Sequence, residues 1–296
     1  MGYGLLCVLV GLLILYSVNG VHGWGKEGHY ATCKIAESYL TKEALEAVKE
    51  LLPESASGDL AAVCSWADEV RFRYRWSSAL HYIDTPDFKC NYEYSRDCHD
   101  EAGRVGRCVV GAINNYTNQL GDSSNSSSAK RHYNLTEAVM FLSHFIGDIH
   151  QPLHAGFTGD LGGNNIIVRW YRRKTNLHHV WDDMIIETAM KMFYASDIEI
   201  MIASIQNKIS GNWSSDLALW EQCQDNQIVC PNDYASESVK LACNYAYRNA
   251  TPDSILGDDY FLSRLPIVET RLAQGGVRLA ATLNRIFPSK TRISQL

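Results

Sequence analysis

The chain has 296 residues, of which 46% are hydrophobic and 20% charged, and its formal net charge is −6. This is the make-up of a globular protein with a substantial core, and it excludes a disordered, collagenous or polytopic membrane chain. The acidic balance also argues against bulk electrostatic binding of nucleic acid, which needs a Lys or Arg for each neutralised phosphate, while leaving room for a local cationic site.

The first twenty residues carry no charged side chain, and Leu5 to Tyr16 is almost wholly apolar before Ser17 to Gly20 interrupts it. The run is short of the roughly 20 residues that a membrane span needs. Val21–His22–Gly23 fits a signal-peptidase site, so residues 1–23 are expected to be a cleaved signal, with Trp24 as the first residue of the mature chain. An uncleaved anchor is the alternative. Further on, Thr41 is placed to cap a helix through Leu45, Val48 and Leu51, which Pro53 ends. The polar stretch Gly121 to Ser128 reads as a surface loop. Asn134, with Glu137 three residues later, resembles a capping box ahead of the apolar run Ala138–Leu142. Ile166 to Tyr171, behind the turn-like Gly162–Gly163–Asn164–Asn165, is the one extended piece and reads as a hairpin arm. Ile198, Ile202, Ile205 and Ile209 recur at helical spacing, as do Leu272, Leu279 and Leu283. These patterns predict an all-α fold, predominantly helical with at most a short β-hairpin. They form one domain from Trp24 to about Phe287, followed by a polar tail over residues 288–296.

Nine cysteines occur, and loss of Cys7 with the signal leaves an even set: Cys33, Cys64, Cys90, Cys98, Cys108, Cys223, Cys230 and Cys243. In an oxidising compartment that number suggests four disulfides, whose pairing the spacing leaves open. Zinc knuckles are the alternative, but paired C-x-x-C motifs are missing. Sequons at Asn115, Asn125, Asn134, Asn212 and Asn249 point to a secreted glycoprotein. At Asn134, glycosylation competes with the capping role.

The chemistry lies in the histidines and aspartates. His144 and Asp148 are four residues apart, so a helix places them on one face, and His178 and Asp182 repeat the spacing. Taken alone, either pair reads as an ordinary helix-surface ion pair. Together with His154, His29, Asp68 and His81, they form an inventory of imidazoles and carboxylates that suits zinc. Arg71 to Trp76 interleaves cations with aromatic rings, a composition that fits single-stranded nucleic acid or, equally, packing and solvation.

Six ordered blocks carry a wider likeness: Trp24–Gly25 with His29, WADEVR at 66–71, HYID at 81–84, HFIGDIHQPLH at 144–154, GGN at 162–164 and NLHHVWD at 176–182. In these the chain resembles the zinc-dependent single-strand nucleases and 3′-nucleotidases, in their plant bifunctional branch. The resemblance implies a helical fold shared with zinc phospholipase C and a cluster of three Zn²⁺ ions, whose combined charge would be equal and opposite to the formal charge of the chain. It makes Asp68, His81, His144 and Asp148 ligands of one zinc. Asp148 would bridge to a second, bound by His29 and by the α-amine and carbonyl of Trp24. His154, His178 and Asp182 would hold the third. His150 and His179 are then structural, and His99 and His132 superficial. Arg71 matches an arginine that supports the transition state, and its forked, fixed charge suits phosphate. Tyr82 and Asp84 match a base pocket, an aromatic platform beside a hydrogen-bonding carboxylate. The likeness also implies disulfides Cys33–Cys64, Cys90–Cys243, Cys98–Cys108 and Cys223–Cys230, each contributing roughly 2–4 kcal/mol.

The function so implied is a zinc-dependent endonuclease that hydrolyses RNA and single-stranded DNA to 5′-phosphate products and acts on 3′-nucleotides, since water held by zinc is acidic near neutral pH. It is expected as a monomer of the secretory pathway, extracellular, apoplastic, vacuolar or in an ER-derived compartment, with no stable membrane association once the signal is removed. The alternatives are a zinc phospholipase C-like phosphodiesterase and a noncatalytic zinc-containing glycoprotein. Asp182, where the phospholipases have Glu, and the HYID block speak against the first.

Overall fold

A computed structural model describes residues 23–124 and 133–289. Helices dominate it, in the order α1 Lys26–Glu37, α2 Lys42–Leu51, α3 Trp66–Glu69, α4 Tyr94–Asp97, α5 Val109–Ser124, α6 Leu135–His150, α7 Leu177–His179, α8 Ile185–Phe193, α9 Ile198–Ser210, α10 Ser214–Glu221, α11 Pro231–Leu241 and α12 Asp258–Ile286. The caps read from the sequence are made: Thr41 accepts from the Ala44 amide ahead of α2, and Asn134 accepts from the Glu137 amide ahead of α6.

Two features depart from expectation. The hairpin arm pairs as foreseen, with β1 Ile167–Trp170 antiparallel to β2 Arg173–Asn176, but a third strand, β3 Ile255–Leu256, adds parallel to β1. And Gly121 to Ser124 form the last turn of α5, not a loop; residues 125–128 lie outside the described residues. Burial of Tyr116 and Leu120, with Tyr116 stacked on Phe141 at 5.0 Å, carries the helix past Gly121 against a propensity cost of about 1 kcal/mol.

Helix α6 is the axis on which the site is built. Every residue from Ala138 to His150 is buried, as expected for a helix surrounded by protein on all sides. Four of these are polar: Ser143, His144, Asp148 and His150. Burying such groups requires partners, so this helix is where chemistry is to be sought. Helix α1 packs on α6 and on α12. The α1–α12 approach is close: a Cβ at Gly276 would lie 2.5 Å from Ile35 Cγ2.

Disulfides join Cys33 to Cys64, Cys90 to Cys243, Cys98 to Cys108 and Cys223 to Cys230. Asn115, Asn134, Asn212 and Asn249 are exposed, while Asn125 and His132 lie outside the described residues. So do residues 1–22 of the expected signal and most of the polar tail.

Candidate metal centre

Ligand-type atoms converge in three groups, each within 4.8 Å: His29, Asp68 and His144; His81, His144 and Asp148; and His154, His178 and Asp182. The one-turn helix α3 supplies Asp68, and a 3-10 helix, Arg75–His81, ends on His81. Helix α6 supplies His144 and Asp148 one turn apart, with His144 Nε2 3.2 Å from Asp148 Oδ2. His81 Nδ1 lies 3.0 Å from the same oxygen and 3.6 Å from Asp68 Oδ1. At Gln151 the chain leaves α6, and a 3-10 turn, Pro152–Ala155, presents His154. His178 and Asp182 straddle α7 and a π-turn, Val180–Met184, and His178 Nε2 stands 3.4 Å from Asp182 Oδ2. Such local widening of a helix recurs at functional sites.

Backbone carbonyls set the rings. His144 Nδ1 donates to the Cys64 carbonyl at 2.8 Å, His154 Nδ1 to the His81 carbonyl at 2.6 Å and His178 Nδ1 to the Gly162 carbonyl at 2.6 Å. Each bond fixes the tautomer and leaves Nε2 as the lone pair for a metal. His29, from α1, stacks on His144 with centroids 3.8 Å apart, and Gly147 makes the room: a Cβ there would lie 2.7 Å from His29 Nδ1.

The electrostatics are those of a cation site. Both ring nitrogens of His29, His81 Nε2 and Asp148 Oδ1 are buried with no hydrogen-bond partner. Leaving such groups unpaired costs about 1–3 kcal/mol each, and a metal ion between His29 Nε2 and Asp148 Oδ1, which face each other at 3.3 Å, would satisfy those two. Burial, then the neighbouring His144, pushes His29 down to about 4. Burial acts the same way on His144, but the Asp148 and Asp68 carboxylates outweigh it and lift the ring to about 9. Despite its burial, Asp148 is held well below the usual carboxylate range by His144 and His154. Burial, then Asp183, raises Asp182 well above that range. His nitrogen and Asp oxygen in buried groups of three fit zinc.

The remaining sequence candidates fall around this core. Trp24 is fully buried, with its indole nitrogen unpartnered. Gly23 before it is packed so tightly that a Cβ there would lie 1.6 Å from Asp148 Oδ1 and 2.8 Å from His29 Nε2. Arg71 Nη1 is 3.5 Å from Asp68 Oδ1. Tyr82 and Asp84 alternate with buried His81 and Ile83, so both lie half-buried on the opposite side of an extended segment. Burial and then Asp84 push the Tyr82 phenol up to about 12, and burial raises Asp84. His150 is outside the metal groups: its Nδ1 donates to Ile146 and its Nε2 accepts from Arg278 at 3.0 Å. His179 pairs with Asp183 at 2.8 Å near the surface. One residue went unnoticed in the sequence. Buried Gln151 donates to Asp182 Oδ1 at 2.6 Å and accepts from the Leu153 amide at 2.6 Å, and the only signal was an amide set among candidate ligands.

A family model described as S1/P1 Nuclease matches residues 24–288. The chain belongs to the S1/P1 nuclease family. Over 283 residues, covering 95% of both chains, it is 65% identical to Endonuclease 4 of Arabidopsis thaliana. It is 35% identical to Nuclease P1 of Penicillium citrinum over 278 residues, covering 90% of this chain and 99% of that one. Nuclease S1 of Aspergillus oryzae is 32% identical over 279 residues, with 90% of this chain and 92% of that one covered. This nuclease is thus a hydrolase of nucleic acids with His and Asp groups able to bind metal, on the helical fold that the sequence predicted.

Proposed function

We propose that the enzyme is a single-strand endonuclease and 3′-nucleotidase, acting through three zinc ions and leaving 5′-phosphates. The observation that carries this is the convergence of three His/Asp groups, two of them sharing His144, in which the rings of His144, His154 and His178 are preset by backbone carbonyls. Asp68, His81, His144 and Asp148 would hold one ion, His154, His178 and Asp182 another. His29 and Asp148, with the amine and carbonyl of Trp24, would hold the third. Bound there, zinc supplies Lewis acidity that polarises the phosphoryl group and makes water a nucleophile near neutral pH.

The protein groups do the positioning. Arg71, beside Asp68, aims a fixed forked charge at non-bridging phosphate oxygens. Tyr82 offers a face for a base and Asp84 an acceptor for its edge. A base so held is out of any stack, which favours single strands. Processing after Gly23 would clear the space against Asp148 and His29 and leave the Trp24 amine there. Disulfides and exposed sequons support a route through the secretory pathway as a glycoprotein.

The test is cleavage of single-stranded DNA, RNA and a 3′-nucleotide by the secreted, processed protein, before and after chelation and zinc return. Loss on chelation, recovery with zinc and 5′-phosphate ends are expected. Phosphatidylcholine turnover without nucleotide turnover would overturn the reading.

A further inference from the structure

The segment joining Asp68 to His81 carries aromatic surface that the core does not use. Phe72 is 84% exposed and Trp76 47% exposed. Arg73 and Arg75 are exposed and make no ion pair among the described residues. Four neighbouring positions thus present two rings and two free cations to solvent, with no carboxylate between them.

Trp76 is nevertheless held rigidly from below. Its ring lies 5.7 Å from Tyr74, nearly parallel, and 5.7 Å from Phe141. The Tyr74 hydroxyl donates to Glu137, and Arg107 donates to the Trp76 carbonyl. Phe141 stacks on Phe145 at 5.4 Å, and Phe145 meets His81 at 5.0 Å. Three ring-to-ring steps therefore lead from a metal-group histidine to a tryptophan with one face braced and the other wet. A ring that served only to fill the core would not keep half its surface in water, and bracing removes the entropy cost of ordering it on binding.

We propose that Trp76 and Phe72, with Arg73 and Arg75, form a distal subsite that stacks bases and pairs phosphates of a single strand whose scissile bond lies at the metal centre. The inference rests on the single-strand reading above. Stacking must contribute much of it, because a chain of net charge −6 gives no bulk attraction to a polyanion. Bases in a duplex are not available to these rings.

The test compares kcat/KM for a single-stranded twelve-nucleotide substrate and for a dinucleotide, using processed, zinc-loaded enzyme. Trp76→Ala and Phe72→Ala should each lower the ratio of the two by roughly 5- to 100-fold, and Trp76→Phe should restore most of it. Arg73→Gln and Arg75→Gln should each reduce the slope of log affinity against log salt by about 0.7. Binding of a fluorescent phosphorothioate twelve-mer, read by anisotropy, should weaken in parallel and reports on the subsite even where no cleavage occurs. An unchanged ratio with unchanged binding would overturn the subsite, as would equal losses on both substrates with a lowered melting temperature. A self-associating wild type that Trp76→Ala renders monomeric would overturn it too, since the rings would then cover a second copy. Failure of the wild type to cleave either substrate would instead count against the single-strand reading.

Discussion

Gln151 does for Asp182 what backbone carbonyls do for the histidines. Its carboxamide is spent in both directions, on Asp182 Oδ1 and on the Leu153 amide, so Oδ2 is the oxygen left facing His178. Gln151→Leu, close in size, would leave both partners buried and unpaired. The expected result is a loss of about 1–3 kcal/mol in stability and a 10- to 100-fold weaker hold on the ion at His154, His178 and Asp182. Zinc titration of the stripped protein checks this, and three equally tight sites in the variant would refute it. The His-x-x-x-Asp pairs were legible because helical spacing alone puts both members on one face. Gln151 was not, because its role depends on a carboxylate 31 residues away.

At the scale of elements, the end of α6 needs support, since its last carbonyls have no partners within the helix. Ser238 on α11 donates to the Ile149 carbonyl, and Arg271 on α12 donates to that of His150. Arg271 and Arg278, both buried, meet across Glu237, which takes hydrogen bonds from both. Burial works against the Glu237 charge, but the two guanidinium groups prevail and hold it at about 2. With the folded value below the ordinary one of 4.5, its contribution is full above pH 4.5 and lost as pH falls through about 2. Glu237→Gln should therefore cost about 1–3 kcal/mol at pH 7, discounted for its partial exposure. The gap from wild type in melting temperature should close as pH falls from 4.5 toward 2. A gap independent of pH would contradict this account. Helix positions were readable wherever a cap met an apolar period, as at Thr41 and Asn134. The two-residue strand Ile255–Leu256 has no period to read, and its partner β1 lies far back in the chain. The end of α5 was misread because packing of Tyr116 and Leu120 overrode the local preference of Gly and Ser.

Across the whole molecule, the candidate site gathers residues from the first helix of the described chain to the π-turn after α7, and it includes the residue at the expected processing point. Retention of Gly23 should keep its backbone wedged against Asp148 and His29. Such a protein should fold with a near-normal melting temperature before zinc is added, yet bind one zinc fewer and lose most activity. Mass spectrometry of the N-terminus with zinc analysis checks this, and a full zinc complement on the extended chain would refute it. The histidines and aspartates that converge in the structure were legible as a set, whereas the brace of arginines behind them was not, since its members share no motif.

Cys64 serves two neighbours at once: its sulfur is bonded to Cys33, one turn beyond His29, and its carbonyl orients His144. Two rings of the candidate metal groups thus lie beside a covalent link that forms only where thiols are oxidised. A copy of the chain stranded in a reducing cytosol would lack that link, and with it the fixed alignment of His29 and His144. The bridge thereby ties the geometry of the candidate metal centre to the redox state of the compartment in which the chain folds.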